Sequence, residues 1–182
     1  MGLNERRVAL LRGVNVGKAK RISMSELRSV FEANGYSEVT TLLNSGNVLF
    51  SVKNCDDQNS NQISEVIEEA IFQKFAIRTR TTVLSASEIE TIFLENPLVE
   101  IATDWTRLLV SVLSSVEDRV KLEPLLAQDW GNEALATGTQ VAYLWCPSGV
   151  LESKLFEAVS KALGTRVTTR NWATFTKIKM AL

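Results

Sequence analysis

The order in which strand-like and helix-like hydrophobic patterns alternate constrains this chain's fold more than any other feature. Arg6 to Leu11 is a short apolar-rich run suited to a strand, and it stops at Arg12-Gly13. After a loop, Ser23-Met24-Ser25-Glu26 has the spacing of a capping box, and Met24, Leu27, Val30 and Phe31 then recur at three- and four-residue intervals until Asn34-Gly35. That spacing predicts a helix with both ends marked, because the serine and glutamate side chains can satisfy amides of the first turn. Val39 to Leu43 and Val48 to Val52 are β-prone and are joined by Asn44-Ser45-Gly46-Asn47, a hairpin composition. Ile63, Val66, Ile67, Ala70, Ile71 and Phe75 form a helical stripe, and Arg78 to Leu84, rich in Thr and Val, returns to strand. Ser85 or Ser87 can cap a further helix through Leu94, which Asn96-Pro97 ends.

From Thr106 the same order begins again. Thr106 to Leu113 is strand-like, and Ser115 opens a helix with Val120, Leu122, Leu125 and Leu126 in its stripe, which Pro124 is expected to kink or break. Glu133 to Thr137 and Gln140 to Cys146 make a second hairpin about Gly138. A helix carrying Leu151, Leu155, Phe156, Val159 and Leu163 closes at Gly164, Thr165 to Thr169 is a strand, and Asn171 to Leu182 is a last helix. Both halves read βαββαβ followed by a helix, the split-βαβ or ferredoxin-like order. The expected fold is α+β, two tandem ferredoxin-like subdomains over 1–95 and 96–182, divided at the acidic, proline-broken stretch Glu95 to Asp104. The repetition lies in the order of elements, not in residue identity.

No apolar run approaches the roughly 18–20 residues of a membrane-spanning helix, and Met1 to Arg6 has no signal-peptide core, so a cytoplasmic chain without membrane association is expected. The chain has no histidine, which eliminates catalytic triads, Cys-His dyads and HExxH zinc chemistry together. Cys55 and Cys146 lie in no paired spacing and read as separate thiols. No cofactor and no metal is expected. The net charge of −1 argues against a strongly basic nucleic-acid binder, but the charge is unevenly spread. Between Arg6 and Arg28 stand seven basic residues and one acid, Glu26, and Gly164 to Leu182 carries Arg166, Arg170, Lys177 and Lys179 with no acid. The acids gather between these ends.

The segment Leu10-Leu11-Arg12-Gly13-Val14-Asn15-Val16-Gly17-Lys18-Ala19-Lys20-Arg21-Ile22 joins the first strand to a capped helix. Its glycines let backbone amides approach an anion, and Arg12, Lys18, Lys20 and Arg21 supply charge-assisted hydrogen bonds to phosphate or carboxylate. The spacing is neither a Walker A loop nor GxGxxG. The plainer reading is a solvated basic loop whose glycines serve backbone geometry. In a split βαβ the first and second strands are parallel, so the hairpin carrying Ser45 and Asn47 is expected beside this loop. Ser45 and Asn47 either orient a ligand there or simply build the turn. Thr169-Arg170-Asn171-Trp172 offers an anion-binding arginine and an indole stacking face, or else an N-cap for the last helix. Val141, Tyr143 and Trp145 alternate on one strand face and are read as packing residues before exposed aromatics of an RNA reader.

These segments together resemble a bacterial family, domain of unknown function 1697. The likeness spans nearly the whole chain through Ala9 to Gly17, Met24 and Leu27, Ser45-Gly46-Asn47, Asn96-Pro97, Pro147 with Gly149, Ser153-Lys154-Leu155, and Thr169 to Trp172 with Thr174 and Lys177. It departs at Lys18, where the family commonly carries a glycine. The resemblance implies two related α+β subdomains and no established activity.

The first expectation is therefore binding of nucleic acid or another phosphate-bearing ligand. Arg12, Lys18, Lys20, Arg21 and Arg170 would neutralise charge, Gly13 and Gly17 would give backbone access, and Asn15, Ser45, Asn47, Asn171 and Trp172 would orient the ligand. Two alternatives stand beside it. One is a small-molecule enzyme with an anion pocket between the halves, Arg12 or Lys18 stabilising negative charge. The other is a basic docking module for an acidic protein. Oligomeric state is left open.

Overall fold

A computed structural model describes residues 4–15, 21–53 and 59–182. The first half is β1 (Asn4–Arg12), α1 (Met24–Ala33), β2 (Ser37–Leu42), β3 (Asn47–Lys53), α2 (Ser60–Phe75) and β4 (Arg80–Ser85), followed by α3 (Ala86–Leu94) and a 3-10 turn, Pro97–Glu100. The order resumes with β5 (Leu108–Val112), a 3-10 helix (Val116–Leu122) continuing into the single turn α4 (Glu123–Leu126), then β6 (Ala134–Thr137), β7 (Val141–Trp145), α5 (Lys154–Leu163), β8 (Thr168–Asn171) and α6 (Trp172–Ala181). The strands form two four-stranded antiparallel sheets, ordered β2-β3-β1-β4 and β6-β7-β5-β8. The fold is α+β with two similar halves, consistent with the tandem ferredoxin-like arrangement the element order predicts.

The likeness of the two halves is explicit in the register. Leu10 faces Thr82 and Asn47 in the first sheet as Val112 faces Thr168 and Val141 in the second. One residue further on, Leu11 N–H donates to the Gly46 carbonyl at 2.8 Å and Leu113 N–H donates to the Gln140 carbonyl at 2.9 Å. The same alignment superimposes Ser85, whose hydroxyl accepts from Glu88 N–H at the start of α3, on Asn171, whose carbonyl oxygen accepts from Thr174 N–H at the start of α6. Each half thus ends its fourth strand in a side chain that opens a helix.

In the first half, Leu27, Val30 and Phe31 of α1 and Ile63, Ile67, Ile71 and Phe75 of α2 pack on Ala9, Leu11, Val48, Phe50, Val52 and Val83. Ser23 and Glu26 close the capping box that fixes where α1 begins. In the second half Leu155, Val159 and Leu163 of α5 pack with Leu109, Ala142, Leu144 and Cys146. Two compact units result. One extends to Ile89 and also includes Lys177–Leu182, while the other is Glu90–Thr176. Within the first, Ile178 is fully buried and Arg6 donates to the Ala181 carbonyl at 3.3 Å, so the last turns of α6 are part of its packing.

Three expectations need correction. The stripe from Val120 to Leu126 does not form an α-helix. Pro124 has no N–H to return to the preceding turn and Ser115 makes no side-chain cap, so the segment stays in 3-10 geometry until one turn of α4. Leu122 is buried there, but Val120 and Leu126 are exposed. Leu151 lies outside α5 and is fully exposed, because the Ser153 hydroxyl accepts from Phe156 N–H and starts the helix later. The last strand falls at Thr168–Asn171, since Gly164–Arg166 is a 3-10 turn. Val141, Tyr143 and Trp145 are buried, as packing residues. No helix among the described residues is long and apolar enough to cross a membrane.

The second unit's hairpin carries a titratable clasp. Glu95 accepts from the Thr139 hydroxyl at 2.5 Å and from its N–H at 2.7 Å. Gly138 leaves the room, for a Cβ there would stand 2.5 Å from a Glu95 oxygen and 3.1 Å from the Tyr143 hydroxyl, itself donated to the Ile92 carbonyl. The two Thr139 bonds, with a smaller pull from Arg119, hold the Glu95 carboxyl below its ordinary 4.5. A depressed folded-state pKa contributes stability that is present above the unfolded value and lost as pH falls through the folded one. Glu95→Gln is therefore expected to shallow the loss of stability below about pH 4.5, measured by urea midpoints between pH 2 and 6.

Candidate anion-binding site

Topology collects one end of the first sheet around the loop that leaves β1. Because β3 and β4 both run antiparallel to β1, the β2–β3 turn and the beginning of β4 meet the exit of β1. The Leu11–Gly46 bond is one tie. The Thr79 hydroxyl, donating to the Arg12 carbonyl at 2.8 Å, is another. Gly46 is required by this closeness, since its φ is +75° and a Cβ would lie 3.0 Å from the Leu11 Cβ.

Asn15 is the clasp of the loop. Its φ is +59°, a left-handed conformation that asparagine tolerates better than most residues. Its carbonyl oxygen accepts from Ile22 N–H at 2.8 Å, and its amide donates to the Ile22 carbonyl at 2.9 Å and to the Asn44 carbonyl at 3.3 Å. One side chain thereby joins both ends of the 15–22 segment and ties them to the hairpin. Asn47 is buried and donates to the Leu42 carbonyl at 2.9 Å and the Ser45 hydroxyl at 3.0 Å, so it builds the turn. Gly13, at φ +76°, is exposed, as are Arg21 and Ser45, and Arg12 is half-buried. Arg12, Gly13, Asn15, Arg21, Ser45 and Asn47 thus share one end of the unit, with Asn15 and Asn47 holding its backbone. Gly17, Lys18 and Lys20 lie outside the described residues, as does Cys55.

Arg170, Asn171 and Trp172 belong to the second unit. Asn171 caps α6, its carbonyl oxygen accepting from both the N–H and the hydroxyl of Thr174. Trp172 is 3% exposed with its ring 4.2 Å from that of Phe93, so the indole is packing and offers no face to a base. The reason is that the residue after the cap begins the helix on its inner side. Arg170 is half-buried and donates to its neighbour's carbonyl at 3.0 Å, and burial pulls its pKa down to about 10, which leaves it cationic at neutral pH. Cys146 is buried and receives the Ser153 hydroxyl at 3.3 Å, and burial raises its pKa, the opposite of what a nucleophile needs.

Two cations escaped the sequence reading. Arg80 opens β4 directly opposite Arg12, and Arg78 precedes it with its guanidinium 4.5 Å from the centre of the Phe72 ring. The rule that places the hairpin beside the loop also places the start of β4 there, so the signal existed.

Residues 5–143 match the model of a family described as Protein of unknown function (DUF1697). The chain aligns over 99% of its length with 99% of the conserved bacterial protein SP0830 from Streptococcus pneumoniae, at 25% identity and a TM-score of 0.77. No curated protein matches the chain. The family match contains the Arg12 loop, the hairpin and the start of β4, and it ends before Thr169 to Trp172.

Proposed function

Because the chain belongs to this family of proteins of unknown function (DUF1697), whose name fixes no chemistry, we propose from its own residues that it binds a phosphate-bearing ligand at the basic end of the first unit. The observation that carries this reading is the Asn15 clasp together with the Leu11–Gly46 bond. These ties hold Leu11, Asn15 and Ile22 beside the hairpin, so Arg12 and Arg21 next to them are presented from an anchored frame, and Lys18 and Lys20 lie between those anchors in the sequence.

A small phosphate-bearing molecule suits the site better than single-stranded nucleic acid. Readers of single strands add aromatic platforms to their cations, and Trp172, the aromatic expected to offer a stacking face, is buried, as are Tyr143 and Trp145. The test is calorimetric titration with inorganic phosphate, beside anisotropy of labelled single-stranded DNA and RNA, at low and moderate salt. Binding by the parent is expected to weaken steeply with salt, to ignore base sequence, and to fall by about tenfold or more in an Arg12→Ala, Lys18→Ala double variant. Absence of any anion binding at low salt would overturn the proposal.

A further inference from the structure

Arg12 and Arg80 are cross-strand partners in the β1–β4 ladder. Their side chains therefore leave the same face of the sheet from Cα atoms about 4.5–5.5 Å apart, where like charges repel. Arg78 adds a third cation two residues before Arg80. Glu68 faces Arg80, one oxygen 3.5 Å from Arg80 Nη1 and the other accepting from Thr81 N–H at 2.6 Å.

The fold does not require this juxtaposition. The register that aligns Leu11 with Leu113 puts Ser114 where the first half has Arg12, so the second half completes the same sheet order without the pair. Protection of an edge strand does not require it either. Arg80 lies on the edge strand β4, where one charge discourages pairing, but Arg12 lies on β1, which has a partner on each side.

Resting on the phosphate-binding reading above, we propose that Arg12 and Arg80 form a two-guanidinium clamp for a pair of adjacent phosphate groups, which makes the ligand class a diphosphate and not a monophosphate. Each guanidinium presents a planar fork of donors that matches one phosphoryl group. A lone phosphate leaves one fork underused, whereas a diphosphate engages both and relieves their repulsion. Glu68 competes with the ligand for Arg80 and moderates the affinity.

The test is calorimetric titration of the full chain with inorganic pyrophosphate and inorganic phosphate at low ionic strength. Pyrophosphate is expected to bind about tenfold or more tightly than phosphate. Pyrophosphate also carries more charge, so the deciding quantity is how the ratio of the two affinities responds to each variant. Arg80→Gln is expected to abolish most of the ratio, while Arg21→Gln lowers both affinities by a similar factor. Glu68→Gln keeps an acceptor for Thr81 N–H but removes the competing charge, and is expected to tighten pyrophosphate binding several-fold. The Arg80 side chain is 66% exposed, so its replacement leaves the core intact, and a thermal melt checks this. An unchanged ratio in Arg80→Gln, or equal parental affinities, overturns the clamp. If both anions bind and depend on Arg12 and Lys18 but not on Arg80, the phosphate site stands and the clamp falls. If neither anion binds, both readings fall together.

Discussion

Phe50→Ala is expected to destabilise the first unit by about 3–5 kcal/mol, one of the largest losses that a single truncation can produce here. Phe50 is fully buried on β3, with its ring 5.2 Å from Phe31 and 4.9 Å from Tyr36. Phe31 lies on α1 and Tyr36 just beyond it, so the ring fastens the helix and its exit to the sheet. Alanine forfeits the burial and leaves a cavity among rigid neighbours, whereas Phe50→Leu preserves most of the volume and is expected to cost less than about 2 kcal/mol. Urea unfolding followed by far-UV circular dichroism measures the difference. All four tryptophans, Trp105, Trp130, Trp145 and Trp172, fall within Glu90–Thr176, so their fluorescence follows the second unit. A fluorescence midpoint that moves less than the dichroism midpoint is the expected pattern. Equal shifts would mean that the two units unfold as one block.

Asn15→Ala is expected to cost about 2–4 kcal/mol and to weaken anion binding about tenfold or more. The substitution removes the partners of both backbone groups of Ile22, a residue that is 1% exposed, and asks alanine to hold a φ of +59°. Asn15→Gly separates the two contributions, since glycine accepts the conformation but not the hydrogen bonds. If glycine restores stability without restoring affinity, the clasp acts by fixing the ends of the basic segment. If it restores both, backbone conformation alone suffices. Thermal melts and phosphate titration on the same samples decide between them.

What was legible in the sequence was what local chemistry or strict periodicity writes there. The Ser23 and Glu26 pair marks the start of α1 because each side chain reaches a backbone amide within three residues. The order of strands and helices along each half followed from the alternation of patterns, and the meeting of loop and hairpin followed from the parallel direction of β1 and β2. The 3-10 segment was not legible, because Leu122, Leu125 and Leu126 satisfy a helical template that Pro124 then denies its hydrogen bonds. The fate of Trp172 was hidden for another reason. An indole after a capping asparagine looks the same whether it meets solvent or Phe93, and Phe93 belongs to a helix distant in the chain. Arg80 was overlooked because a charge in a Thr-rich strand reads as an exposed edge residue. Its place opposite Arg12 follows from the same topology that sets the hairpin beside the loop, and the register makes the pairing explicit.

The last turns of α6 give the two units different histories during synthesis. Glu90–Thr176 is one uninterrupted stretch, and every residue of that unit is synthesised before Lys177. The first unit has all its strands much earlier, but Ile178, and the Ala181 carbonyl that receives Arg6, are added only after the whole of the second. The first unit therefore closes around two separated stretches of chain, and its packing needs both of them, whereas the second is built from one. The half that is translated first is the half that is finished last.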